Sequence, residues 1–168
     1  MIIFVYGSLR RLEANHRRFR ADLLIDLFRT GVTKPLYTLR DFGSYPGLYT
    51  GGTTAVVGEL YEVDEHNPLH VEVLNDLERI ERSAGYERQM IVLESDEVVY
   101  GWVMNPARDG RSYSGLAPEI ASGDWTLHNT PKREARDKAW AEQNARWDAE
   151  DAAARVRAKA PRPAKRRR

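Results

Sequence analysis

The sequence predicts an α+β fold with a curled, barrel-like sheet. Two observations lead to it: apolar runs of strand length outnumber the helical patterns, and the two kinds follow one another irregularly rather than as repeated strand-helix units. A third bounds the size, because 168 residues with no cysteine suffice for one core that needs no disulfide.

The first strand is Ile2-Ile3-Phe4-Val5, a β-branched and aromatic run that stops at Tyr6-Gly7-Ser8-Leu9. A glycine at a strand end lets the backbone turn sharply and approach a ligand. It leaves the amides of Gly7, Ser8 and Leu9 to hold a carboxylate or a developing oxyanion. Taken alone, the same residues describe an ordinary exit from a strand. Between Ala14 and Phe28, the residues Phe19, Leu23, Leu24, Leu27 and Phe28 fall at helical spacing, with Gly31 as the expected stop. Leu36 to Leu39 reads as a short strand, Gly43 to Gly52 as a loop rich in Gly and Pro, and Thr53 to Val63 as a longer strand. Asn67-Pro68 is a cap and first-turn signal, and the helix it opens is expected to bury Leu69, Val73, Leu74, Leu77 and Ile80. Met90 to Leu93 and Val98 to Met104 form a hairpin across Ser95-Asp96-Glu97.

Pro131 begins a different composition. Residues 131–168 carry 13 Lys/Arg against 6 Asp/Glu, a charge of +7, whereas residues 1–130 carry 13 against 19, a charge of −6. The chain therefore divides into a domain over 1–130 and a basic tail over 131–168, the tail helical to about residue 159 with Trp140 and Trp147 on one face. Pro161 to Arg168 has too few apolar residues to offset the entropy of ordering, and disorder is expected there. An acidic body disfavours nucleic acid, since phosphate neutralisation needs clustered Lys/Arg; the tail would attract polyanions only nonspecifically. No apolar run approaches the ~18 residues of a membrane span, and Met1 leads straight into a strand rather than a signal segment. The expectation is a soluble, cytoplasmic protein. The four histidines, His16, His66, His70 and His128, lack metal-ligand spacing, so neither a metal nor another cofactor is expected.

Six segments, in order, carry a resemblance. They are Tyr6-Gly7-Ser8-Leu9-Arg10 with Asn15-His16 behind it, Phe42-Gly43-Ser44-Tyr45-Pro46-Gly47-Leu48, Val57-Gly58-Glu59-Leu60-Tyr61-Glu62-Val63-Asp64, Leu77-Glu78-Arg79-Ile80-Glu81, Tyr86-Glu87-Arg88 and Ser122-Gly123-Asp124-Trp125. The pattern resembles the γ-glutamylcyclotransferase-like (AIG2-like) superfamily over residues 1 to about 125. What the resemblance implies is a small mixed β-barrel with flanking helices and a cofactor-free reaction. In that reaction a γ-glutamyl amine or γ-glutamyl amino acid cyclises to 5-oxoproline and releases the amine. The attacking α-amine is protonated at neutral pH, so one Glu must take its proton and then return it to the departing nitrogen. Burial in an apolar cleft would raise the pKa of such a Glu toward the working pH.

Glu78, Glu81 and Glu87 compete for that role. In the family the functional Glu is preceded by apolar residues one, four and seven or eight positions back, and by an acid three back. From Glu81 this gives Ile80, Leu77, Leu74 and Val73 with Glu78 as the acid; from Glu78 it puts Asn75 at the acid position and His70 among the apolar ones. Helix phase agrees, because at about 100° per residue Glu81 lies at the edge of the apolar stripe while Glu78 turns toward solvent. Glu81 is the first candidate and Glu78 the second. Arg82 stands where the family has Gly, so the helix would end differently and a cation would sit at the pocket entrance. Without the resemblance, Glu81 reads as a solvated helix-end carboxylate paired with Arg82 or Arg88.

By the same matching, Tyr6, Gly7, Ser8 and Leu9 would hold the substrate's γ-carbonyl or α-carboxylate. Tyr86 would hydrogen-bond the glutamyl group, or else pack its ring in the core with its hydroxyl at the surface. Tyr45 and Tyr100 have weaker claims of the same kind, and Asn15 and His16 read as fixing the first loop. Two other readings stand beside the enzyme: a ligand-binding member of the fold without catalysis, and a nucleic-acid or partner contact made by the basic tail.

Overall fold

A computed structural model describes residues 1–11, 13–24, 29–105 and 117–159. Its strands are β1 (Ile2–Val5), β2 (Arg29–Val32), β3 (Tyr37–Asp41), β4 (Pro46–Thr50), β5 (Val57–Glu62), β6 (Tyr86–Val92) and β7 (Val98–Met104). Its helices are α1 (Ala14–Arg18), α2 (Pro68–Ser83) and α3 (Trp125–Lys159), with a 3-10 turn at Ala21–Leu24.

Five strands form one mixed sheet in the order β2-β5-β1-β7-β6, and β3 and β4 form a separate hairpin. β1 lies at the centre, antiparallel to β5 with Val5 opposite Glu59 and parallel to β7 with Phe4 opposite Gly101. Both of its faces are covered. Ile3 and Val5 pack with Val73, Leu77 and Trp102, while Phe4 and Tyr6 pack with Leu39, Leu48, Leu60 and Val103. A strand buried on both sides needs an unbroken apolar run, which is why Ile2 to Val5 shows no alternation. Beyond the two outer strands, Thr33 bridges Leu93, the Lys34 amide donates to the Val92 carbonyl at 2.9 Å and the Glu94 amide to the Val32 carbonyl at 2.8 Å. These bonds join the ends of β2 and β6 and close the sheet there into a small barrel.

α2 follows from its ends and its stripe. Asn67 caps it, its side-chain oxygen accepting the Leu69 amide at 3.0 Å with Pro68 at the first turn. His70, Val73, Leu74 and Leu77 form the buried face; the expected Leu69 is exposed and Ile80 half-buried. The helix runs on to Ser83, and Gly85, at φ +96°, supplies the left-handed step that ends it.

Several expectations are corrected. The helix expected over 14–28 is broken: α1 stops at Arg18, and Arg20 takes φ 60° before the 3-10 turn. Leu27 and Phe28 lie outside the described residues. Gly31 stops no helix, because it sits within β2 opposite Gly58. The glycine-rich stretch expected as a loop contains β4, paired with β3 from Tyr37 opposite Thr50 to Asp41 opposite Pro46. β5 begins at Val57 instead of Thr53.

The chain separates into two compact units, Met1–His128 and Asn129–Arg168. In the first, Trp125 is fully buried and the Asp124 carboxylate accepts the Thr126 amide at 2.9 Å at the start of α3. In the second, α3 runs as a charged helix with Trp140 exposed; the Trp147 side chain and Pro161 to Arg168 lie outside the described residues. Among the described residues no helix is long and apolar enough to cross a membrane.

Candidate active site

The turn after β1 forms one wall of a cavity of about 190 Å³, with the start of β4, the end of α2 and the β6–β7 pair forming the others. A Cβ on Gly7 would lie 2.8 Å from Cγ and 2.9 Å from Cδ of Pro46. Glycine is required here by the opposite wall. Gly7, Ser8 and Leu9 all line the cavity, and their amides donate to no other described group. Their loop is held from behind: the Asn15 amide donates to the Ser8 carbonyl at 3.1 Å, Asn15 Nδ2 to Ser8 Oγ at 3.0 Å, and His16 Nδ1 sits 2.9 Å from the Leu9 carbonyl.

Two tyrosines brace the walls. The Tyr6 hydroxyl donates to the Trp102 carbonyl at 2.7 Å. Burial pushes its pKa well up, and the nearby Glu81 pushes in the same direction. Tyr86 is buried, and its hydroxyl donates to the Pro46 carbonyl at 2.7 Å rather than reaching the surface. Burial, then Tyr6 and Glu81, raise its pKa as well. With its O–H donated to a carbonyl, the Tyr86 oxygen keeps lone pairs that can accept a hydrogen bond from an N–H in the cavity.

Glu81 lies four residues beyond Leu77, at the end of the buried stripe of α2, and is the one carboxylate among the described residues lining the cavity. Part of its surface reaches the cavity, but its surroundings are apolar and aromatic. Burial, and second the charge of Glu78, raise its pKa from 4.5 to about 7. Glu78 does not line the cavity. Its Oε1 lies 3.4 Å from Arg82 Nη2, its Oε2 3.8 Å from Arg88 Nε and 3.4 Å from the Trp102 indole nitrogen. So Glu78 is held between cations and an indole rather than turned freely to solvent, and Arg82 and Arg88 pair with Glu78, not with Glu81. Glu87 also stays out of the cavity, where Asn105 donates to it at 2.8 Å. Tyr45 lines the cavity, whereas Tyr100 is exposed on the outside under the Arg88 guanidinium.

Sequence reasoning assigned no role to Trp102, Pro46, Arg10 or Glu59. Trp102 and Pro46 are walls; Arg10 and Glu59 are buried charges behind the turn. The available signal was a charged residue inside the apolar run Val57 to Val63. Among the described residues no three His, Asp or Glu side chains gather as a metal site.

The sequence profile described as gamma-glutamyl cyclotransferase, AIG2-like, matches residues 3–127, a span that contains every cavity residue named above. The chain belongs to this family. A Vibrio cholerae protein bearing the gamma-glutamylcyclotransferase name is 36% identical over 126 residues, 74% of this chain and 94% of its own. The gamma-glutamylcyclotransferase family protein YtfP of Escherichia coli K12 is 34% identical over 130 residues, again 74% of this chain and 96% of its own. In fold, the chain is similar to the crystal structure of an AIG2-like protein from Mus musculus, with a TM-score of 0.53 at 24% identity over 73% of this chain and 87% of that one. The mixed sheet with its flanking helices is the fold of the AIG2-like family.

Proposed function

We propose that this chain is a γ-glutamyl cyclotransferase that converts a γ-glutamyl amine or γ-glutamyl amino acid to 5-oxoproline and the free amine. One observation carries the reading: Glu81, the one carboxylate among the described residues lining the cavity, has a pKa raised to about 7 and shares that cavity with a turn of unbonded amides. A carboxyl poised there is half-deprotonated near neutrality. That suits it to take a proton and hand it back.

In the proposed reaction, the ionised Glu81 takes a proton from the substrate's α-ammonium and the freed nitrogen attacks the γ-carbonyl carbon. A carbon–nitrogen bond forms, closing a five-membered ring, and the carbonyl electron pair moves onto oxygen. Amides of Gly7, Ser8 and Leu9 would stabilise that oxyanion. When the oxyanion collapses, the bond to the original amine breaks, Glu81 returns its proton to the departing nitrogen, and the second proton of the ring nitrogen passes to the freed amine, which leaves as an ammonium. Both reacting groups belong to one molecule, so the cavity needs mainly to hold it folded upon itself. Tyr86 would help by accepting an N–H of the amine. The reading includes a cytoplasmic location for the chain.

The test is incubation of the purified chain with a panel of γ-glutamyl amines and γ-glutamyl amino acids, assaying 5-oxoproline. Release from at least one of them, abolished in Glu81→Gln, is expected. No release from any, alongside saturable binding of the same compounds, would favour the ligand-binding reading.

A further inference from the structure

Behind the turn lies a carboxylate that the reaction does not use. Glu59 stands on β5 opposite Val5, is 6% exposed and does not line the cavity. A buried charge is unfavourable unless its bonds are well made. Here its Oε2 accepts the Arg11 amide at 2.8 Å and the Tyr61 hydroxyl at 2.7 Å. Arg10 balances the charge without taking a directed bond, because its Nε stays 3.6 Å from Glu59 Oε1 and has no hydrogen-bond partner. The Arg10 guanidinium instead donates to Asp124 at 2.7 Å. So the directed bonds of Glu59 go to a backbone amide just past the turn and to the tyrosine whose hydroxyl also approaches the Leu9 carbonyl at 3.3 Å.

We propose that Glu59 is a positioning residue: through the Arg11 amide and the Tyr61 hydroxyl it fixes the far end of the Gly7–Leu9 turn, so that the unbonded amides stay at the cavity wall. Within the turn the Arg10 amide closes back onto the Gly7 carbonyl at 2.9 Å, and the rest of its support comes from outside. Asn15 and His16 secure its middle; Glu59 secures its exit. The consequence is specific to the transition state. Loosening the exit displaces donors that act on the oxyanion, while the cavity that binds the ground state keeps its walls.

This inference rests on the cyclotransferase reading, so the experiment carries one readout independent of it. Glu59→Gln keeps the size and one acceptor but loses the charge that draws the Arg11 and Tyr61 donors together. Expected are a kcat lowered about 10- to 100-fold, a KM within about twofold, an acid limb of the pH profile unmoved, and backbone amide NMR shifts changed at Gly7, Ser8 and Leu9 but not at Glu81. Where Glu59→Gln does not fold, Tyr61→Phe removes one of the two directed bonds and is expected to lower kcat about threefold with the same unmoved limb. A parental kcat in the folded variant overturns the proposal, as does a loss confined to KM or a displaced acid limb. If the parent protein cyclises nothing, the cyclotransferase reading fails by itself; turn amide shifts that then match those of the parent overturn the positioning role, and shifts that move uphold it.

Discussion

A carboxyl that holds its proton to about pH 7 in the folded chain, against 4.5 when free, works against stability. The native state binds the proton more tightly than the unfolded state, so the advantage is present below pH 4.5 and is lost as pH rises through 7. The difference is on the order of 3 kcal/mol. Glu81→Gln, which cannot ionise, is therefore expected to melt at higher temperature than the parent at pH 8 and at the same temperature near pH 4. Its turnover is expected to fall by roughly 10²-fold or more at neutral pH. A melting temperature at pH 8 that is unchanged or lower means that Glu81 is not buried as the cavity places it. Glu78 acts on the same proton from outside the cavity, so Glu78→Gln should move the acid limb of kcat/KM, expected near pH 7, to lower pH while preserving the plateau. Steady-state kinetics across pH 5 to 9 separates the two: a lost plateau in Glu78→Gln would make Glu78 the base.

The turn and the helix contribute differently, and they were not equally legible. α2 could be read because its signals are local: a cap at Asn67, a stripe through Val73, Leu74 and Leu77, and Glu81 one turn farther along that stripe. β1 could be read for the same reason. The 14–28 segment misled because apolar spacing is blind to Arg20, whose left-handed φ of 60° breaks the helix. β4 was hidden among glycines and prolines because its hydrogen bonds come from β3, not from its own composition. Glu59 was hard to read because an acid in a strand ordinarily faces water, and one of its two donors, the Arg11 amide, lies 48 positions away in the chain. Gly7 was legible as a glycine, and Pro46 adds a second reason for it, pressing on the place a Cβ would take. Gly7→Ala should then push Pro46 aside, and with it the carbonyl that anchors Tyr86. The expected result is a raised KM for the γ-glutamyl substrate and a lowered melting temperature; a variant equal to the parent in both would show that Pro46 yields at no cost.

At the scale of the whole molecule, the unit boundary after His128 and the family match ending at residue 127 support a domain that stands without its basic tail. A chain ending at Thr130 should melt in one cooperative transition and retain its 5-oxoproline-forming activity. Scanning calorimetry checks the first, and a lost transition would show that the tail contributes to the core. The barrel adds a constraint in time. Its central strand, β1, is made first, yet its parallel neighbour β7 comes about 100 positions later. At roughly 5–20 residues added per second during synthesis, the two are separated by roughly 5–20 s. Through that interval the glycine turn exists without Tyr86 and Trp102, the walls supplied by β6 and β7. On the cyclotransferase reading, a growing chain would gain activity only once its last described strand is inserted beside its first, because only then does the cavity have all its walls.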